Sequence, residues 1–371
     1  MDDIQTMLQD SANALFSDIV TADALQRAET GEFLQDMWNA LADQGFTLAM
    51  RAESAGGSGM SWAQVYPLLH AAGRYTLPLP LAETLLANHL LDAAGCQATD
   101  GATVMTVASA PVGSIQLRGG AAFITGTLAD IPFANQAQRV VLAAEIDGVP
   151  HIGWIDPAGP GATGAAPAAG QAGLNIAREP RCTLALQQAP IQEWRPAPRL
   201  GAAAVMRYGA MLRAAQMAGA IERILEQTLA YSTERIQFGR PLAKFQAIQH
   251  HIAELGCEAG AVATAAAYAF GQADQGQADL AIASAKIRAG RAAGKAAALA
   301  HAVHGAIGFT YEHSLQYATR RLWSWRSEYG SHGWWSQRLG QAVCAQGPDA
   351  WWPIATSGKL ELKHEPEHAN G

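Results

Sequence analysis

The sequence predicts a mainly α protein with a small β-domain in its middle: helical segments, then strands, then helices again. Apolar residues recur at helical spacing in the first and last thirds of the chain. Between about residues 103 and 196 the pattern changes to short β-branched runs broken by Gly, Pro, Asn and Asp. Length agrees, because 371 residues exceed what one hydrophobic core usually serves, so two or three subdomains are expected. The expected divisions are an N-terminal helical domain over 1–102, a middle antiparallel β-domain over 103–196, a C-terminal helical bundle over 197–345 and a tail over 346–371.

In the first domain Phe33, Met37, Leu41 and Gly45 follow helical spacing, and Trp38 widens the apolar face. Glu53-Ser-Ala-Gly-Gly-Ser-Gly59 reads as a loop before a helix that Trp62 opens, and Pro78 and Pro80 precede a further helix through Leu81 to Ala94. The strand candidates are Thr103–Val107, Ala122–Thr125, Arg139–Ala143 and His151–Trp154. Residues 157–173, rich in Gly, Ala and Pro, read as an exposed loop. Beyond them the expected helices cover about 199–235, a segment starting at Pro241, and about 277–303, with a polar tail from about 354. No internal repeat is present.

Composition narrows the function classes. Hydrophobic residues make up 49% and charged residues 15%, too apolar for a disordered chain. No uncharged apolar run reaches the roughly 20 residues a membrane span needs. The acidic start, MDDIQTMLQD, has no basic n-region and no apolar h-region, so a cytoplasmic protein is expected. Cys96, Cys182, Cys257 and Cys344 are scattered without CxxC spacing, and read as free thiols in a reducing compartment. A net charge of −7 argues against binding nucleic acid; any phosphate recognition must be local.

The most informative segment is Tyr231-Ser-Thr-Glu-Arg235-Ile-Gln237-Phe238-Gly239-Arg-Pro241-Leu242-Ala-Lys-Phe245-Gln246. A helix ends in a turn at Phe238-Gly239, and Pro241 stands where a second helix can begin, with Phe245, Ile248, Ile252 and Leu255 as its apolar stripe. Arg235 and Gln237 flank this corner. A planar guanidinium beside an amide suits a bidentate grip on a diphosphate; the same arginine also fits a helix cap or a solvated charge.

This segment resembles the acyl-CoA dehydrogenase signature, an R-x-Q-F-G turn followed by L-x-x-F-Q. His304-Gly305-Ala306-Ile-Gly-Phe309 resembles that family's Q-x-x-G-G-x-G-F element, at similar spacing, and Glu53-Ser-Ala-Gly-Gly resembles its P-E-x-x-G-G loop. The resemblance covers nearly the whole chain. It implies an acyl-CoA dehydrogenase-like fold whose C-terminal part is a four-helix bundle, and FAD lying across a subunit interface. By motif, Arg235, Gln237, Phe238, Leu242 and Phe245 would contact FAD, with His304, Gly305 and Ala306 approaching it; Ala306 stands where a second glycine is usual.

The pattern breaks where the family chemistry needs a carboxylate base for the α-proton of the acyl-CoA. One family position for that base falls on Tyr329, with Glu328 one residue early; the other falls on Gly209. A one-residue shift on a helix turns a side chain by about 100°. Glu328 is thus a weak candidate base. The flavin-facing T-E-P-x-A-G-S-D loop and W-I-T strand survive only as Ala108–Ser114 and Ala122–Thr125.

The run Arg320-Arg-Leu-Trp-Ser-Trp-Arg-Ser-Glu-Tyr-Gly330 resembles the smaller subunits of bacterial α2β2 acyl-CoA dehydrogenases. That implies a second family member as partner, an electron-transfer acceptor, and a bulky acyl-CoA such as a sterol or bile-acid side chain. A self-sufficient dehydrogenase using Glu328, and a scaffold without FAD, are the rival readings.

The remaining candidates have plainer readings. Six tryptophans between Trp323 and Trp352 suit core and interface anchoring, or an acyl groove. Lys286, Arg288, Arg291 and Lys295 read as a solvated helix face, or as contacts for CoA phosphates. His250, His251 and Glu254 lack a further ligand, so no metal is expected. Glu312 reads as a helix cap.

Overall fold

The computed structural model describes residues 3–97, 99–109, 112–167, 173–360 and 362. Five helices come first: α1 (Asp3–Ile19), α2 (Ala22–Glu29), α3 (Gln35–Asp43), α4 (Trp62–Arg74) and α5 (Leu81–Ala93). Met37, Trp38 and Leu41 are the buried face of α3. Ser61 starts α4 through a capping box, accepting from the Gln64 N–H while the Gln64 side chain accepts from its own. In α5 almost every side chain is buried, because it runs between the other helices and the sheet.

Seven strands follow: β1 (Met105–Ala108), β2 (Val112–Arg118), β3 (Ala121–Pro132), β4 (Arg139–Ile146), β5 (Val149–Ile155), β6 (Ala162–Pro167) and β7 (Arg181–Pro196). They form one sheet in the order β1-β4-β5-β7-β3-β2, with β6 also paired to β7. Two expectations are corrected here. The sheet is mixed, not purely antiparallel, because β1 pairs with β4 in parallel, Met105 opposite Arg139. The chain leaves β1 through the β2–β3 hairpin and returns through residues 133–138, which brings β4 back in the direction of β1. The Ala/Gly/Pro-rich stretch expected as a loop supplies β6 as far as Pro167; its residues 168–172 lie outside the described residues.

The last third holds α6 (Ala204–Glu234), a two-stranded ribbon of β8 (Ile236–Gln237) and β9 (Arg240–Pro241), then α7 (Gln246–Asp274), α8 (Asp279–His304), α9 (Leu315–Trp325), α10 (His332–Gln346) and α11 (Trp351–Ser357). Pro241 does not open a helix as expected. Phe238 and Gly239 both have positive φ, 51° and 78°, so they form a two-residue hairpin turn of the primed kind. The chain then makes a 3₁₀ turn at Leu242–Lys244 before α7 begins.

α6 is the axis of the molecule, packing on α4, α7, α8 and α9. Its crossing with α4 is close: a Cβ on Gly219 would lie 1.9 Å from the His70 carbonyl oxygen, and one on Gly73 1.9 Å from that of Gln216. Only glycine allows the two backbones to approach this far. One hydrophobic core runs from α1 through α5 into the C-terminal helices, and a smaller one fills the sheet around Ile124, Leu142 and Leu184.

Candidate functional site

A cleft of about 570 Å³ opens where β1, the end of β3, the segment 174–176, the start of α6 and the chain after α9 meet. That volume lies within the roughly 300–1,000 Å³ of small-molecule sites. Val107, Ile131, Met206 and Trp323 give it apolar walls, while Asp130, Asn175, Arg181, Glu328 and Tyr329 add polar groups.

Glu328 is held on every side. Its carboxylate accepts from Arg181 at 2.5 Å, Arg213 Nε at 2.7 Å, the Ser324 hydroxyl at 3.1 Å and Asn175 Nδ2 at 3.2 Å. Burial alone raises a carboxyl pKa, but here the guanidiniums of Arg181 and Arg213 outweigh it and hold Glu328 well below the usual carboxylate range. Arg213 continues the network to Glu83 of α5, Arg181 to Glu179, and Glu179 to Arg321 of α9. Three arginines and three glutamates thus balance at the junction of α5, α6, α9 and the sheet.

Tyr329 adopts φ 51°, and its ring packs directly against Gly209 of α6: a Cβ there would sit 2.4 Å from the nearest ring atom. The two sequence positions expected for a catalytic base therefore share one place in space, and a phenol fills it. Burial and the nearby Glu83 push its pKa up, so it stays protonated.

The backbone around it is fastened from α8 and α10. Lys286 Nζ donates to the Trp325 and Arg326 carbonyls, both at 3.0 Å, and Trp335 Nε1 donates to the Tyr329 carbonyl at 2.9 Å. Lys286 is fully buried, and burial brings its pKa down to about 7. The expectation that it belongs to a solvated face with Arg288 and Lys295 is thereby corrected. Two residues along a helix are about 200° apart, so Lys286 points inward while Arg288 and Lys295 turn out to meet Glu258.

The second candidate region lies at the other end of α6. Arg235 is the exposed C-cap of that helix and Gln237 is half-buried on β8. Phe238 projects from the hairpin with 92% of its surface exposed. Its ring meets Phe245 edge-on, and Arg240 stacks over Phe245 at 4.1 Å; Leu242 and Phe245 are half-buried at the base of the turn.

The end of α8 adjoins this corner, because Tyr231 of α6 stacks on His304 at 4.5 Å. His304 is 3% exposed and donates its Nδ1 proton to the Ala300 carbonyl, so its ring faces inward, whereas Gly305 and Ala306 are exposed. The 235–245 turn and residues 304–306 are thus brought together. Glu328 is not part of that corner: Arg213, which holds it, precedes Arg235 by 22 residues along the one helix α6, about 33 Å along the axis.

No group of three or more His, Cys, Asp or Glu among the described residues could hold a metal; Glu254 pairs with Lys295 instead. No described helix is long and apolar enough to cross a membrane. Glu312 makes no capping contact, and the first N–H of α9 is met by His313 Nδ1.

Two family models match this chain: the acyl-CoA dehydrogenase N-terminal domain over residues 2–109 and its C-terminal domain over residues 202–331. The chain belongs to the acyl-CoA dehydrogenase family. Among curated relatives, the acyl-CoA dehydrogenase IpdE2 of Mycobacterium tuberculosis is 28% identical over 77% of this chain and 80% of its own length. IpdE2 of Mycolicibacterium smegmatis is 26% identical over 86% of this chain and 93% of its own. In fold, the chain is similar to the ChsE4-ChsE5 complex of Mycobacterium tuberculosis, with TM-score 0.85, 21% identity, and 94% of this chain and 99% of that one covered. It also superposes on the Tcur3481-Tcur3483 steroid ACAD, with TM-score 0.82, 26% identity, and coverages of 92% and 98%.

Of the residues that meet in these two regions, the sequence reading names Arg235, Gln237, Phe238 and Glu328 and does not name Arg181, Arg213 or Glu83. The one signal available was a lone charge in each of two largely apolar segments, Glu83 in Leu81–Leu86 and Arg213 in Met211–Met217.

Proposed function

We propose that this chain is the FAD-gripping subunit of a heteromeric acyl-CoA dehydrogenase, in which a second family member supplies the catalytic base. The observation that carries the reading is Tyr329 lying over Gly209 while Glu328 is locked between two arginines. A carboxylate held that far below its usual pKa is a poor acceptor for a proton on carbon, and a protonated phenol is none.

The residues present fit one half of the cofactor. Arg235 offers an exposed guanidinium at a helix end, Gln237 an amide beside it, and Gly305 and Ala306 leave backbone accessible where a diphosphate approaches. Phe238, Leu242 and Phe245 would pack along it. When bound, FAD supplies the hydride acceptor for α,β-desaturation of the acyl-CoA. This chain's share is to bind and orient the cofactor and to keep water from the corner with its aromatic turn. Arg235 and Met206, which lines the cleft, stand about 44 Å apart along α6, which supports two half-sites that belong to different cofactors and are each completed by another subunit. A fold neighbour described as a complex of two named chains, and another described as a steroid ACAD, favour a paired assembly acting on a bulky sterol-type or bile-acid acyl group, with electrons passing to a separate acceptor.

The test is visible flavin absorbance per protomer, for the purified chain alone and for the chain co-purified with its partner. The chain alone is expected to be nearly colourless and the pair to carry FAD. A yellow, near-stoichiometric homo-oligomer would overturn the reading in favour of a self-sufficient enzyme.

A further inference from the structure

We infer that Tyr329 is a steric plug that closes this chain's own cleft to an acyl thioester. The inference rests on the family reading above, and it adds a residue that decides which subunit can take substrate.

The argument starts from space. A side chain on Gly209 would collide with the Tyr329 ring at 2.4–2.7 Å, so ring and helix backbone are in direct contact. The same residue lines the cleft, so the phenol stands between the open volume and Gly209 of α6. An acyl thioester must bring its α-carbon within hydrogen-bond reach of a group at position 209 or 329 to be deprotonated. Here that volume is occupied by carbon.

The ring also lacks the freedom of a movable lid. Its backbone is in the left-handed region, φ 51°, which a bulky side chain adopts only when the surroundings hold it there. Those surroundings are identifiable. Trp335 holds the Tyr329 carbonyl, Lys286 holds the carbonyls of Trp325 and Arg326, and Glu328 is tied to Arg181, Arg213, Ser324 and Asn175. Arg213 further faces the ring at 5.7 Å. Glu328 before it and its own carbonyl are both fixed, so the ring stays where it is.

The test uses the full chain, saturated with FAD, in whatever assembly it forms. The probe is a β-thia acyl-CoA, which carries sulfur in place of the β-carbon and so cannot lose a hydride. Calorimetric titration counts its equivalents per protomer, and subtraction of the wild-type count cancels any site on a partner. Tyr329→Phe, which keeps the ring, is expected to match wild type. Tyr329→Gly, and Tyr329→Asn as a second variant tolerant of positive φ, are expected to gain one equivalent per copy of this chain. Adding Gly209→Leu to Tyr329→Gly refills the space from α6 and should remove the gain.

The plug is overturned if the Gly and Asn variants gain nothing, or if the refilled double variant keeps the gain. It is also overturned if each wild-type copy of this chain already binds the probe. Failure of the heteromer reading shows separately, as FAD held by the chain alone.

Discussion

Glu328 shows how a residue can look catalytic in a sequence and be structural in a fold. It lies one position from an aligned base site, yet its carboxylate accepts four hydrogen bonds and faces two arginines. Glu328→Gln is therefore expected to change turnover of the assembled complex less than about tenfold, whereas loss of a general base costs about 10²–10⁴-fold. Stability should suffer instead. Breaking a buried pair costs about 3–5 kcal/mol, and the low end applies because the side chain retains 18% exposure. The pH sign follows from the lowered pKa. This stabilisation is complete above the unfolded value of about 4.3 and is lost as pH falls below it. Wild type should thus lose Tm faster than Glu328→Gln on going below about pH 4. A turnover collapse with FAD content unchanged would return the chemistry to this chain. Arg235 gives the complementary case. Arg235→Ala should cost about 2–4 kcal/mol of FAD affinity, roughly 30- to 1000-fold, with Arg235→Lys recovering only part because the fork geometry is lost. FAD retention equal to wild type would mean that the corner does not grip the cofactor.

At the scale of elements, α8 does two things that its sequence does not separate. Arg288 and Lys295 pair outward with Glu258, while Lys286 reaches inward to end α9. A composition-based reading groups the four cations of this helix as one face. The helical period separates them, because Ile282, Lys286, Ala289 and Ala293 form one buried stripe. Lys286 satisfies the last carbonyls of α9, the role a C-cap fills elsewhere. A neutral amine has two N–H groups, enough for both bonds, so a pKa of about 7 is compatible with this geometry. The pH slope has the same sign as for Glu328, because both folded-state pKa values lie below the unfolded ones, but its window lies higher. Between about pH 7 and the unfolded lysine value of about 10.4, the unfolded chain binds a proton that the folded chain does not, so stability rises with pH across that window. Wild-type Tm should climb from pH 7 to about pH 9.5, and Lys286→Met should flatten that slope. An identical slope in both proteins would show that Lys286 keeps its proton when folded.

Over the whole molecule, the order helix, strand, helix was legible because periodicity is local, and the corner at Arg235–Phe245 was legible because its signature is contiguous. The parallel β1–β4 pair was not, since strand direction depends on the route of the intervening chain. The Glu83–Arg213–Glu328–Arg181 network was not legible either: its members come from α5, α6, β7 and the turn after α9, and no window of sequence contains them together. The same holds for the seam between α4 and α6. Gly73 and Gly219 read as ordinary helical glycines, yet each meets the opposite backbone at a distance that excludes a methyl group. Ion pairs cross that seam too, Arg74 to Glu226 at 2.8 Å and His70 to Glu222 at 3.1 Å, but they are 25–34% and 12–43% exposed. Exposed pairs contribute about 0–1 kcal/mol, whereas forcing a group into a packed contact costs about 1–3 kcal/mol or more. Gly219→Ala should therefore lower Tm by a few degrees, at about 1–1.5 °C per kcal/mol for a chain of this length. Glu226→Gln should barely move it. Thermal denaturation of both variants in one buffer separates the two contributions: a seam held by charge would reverse the order, with Glu226→Gln the more damaging change.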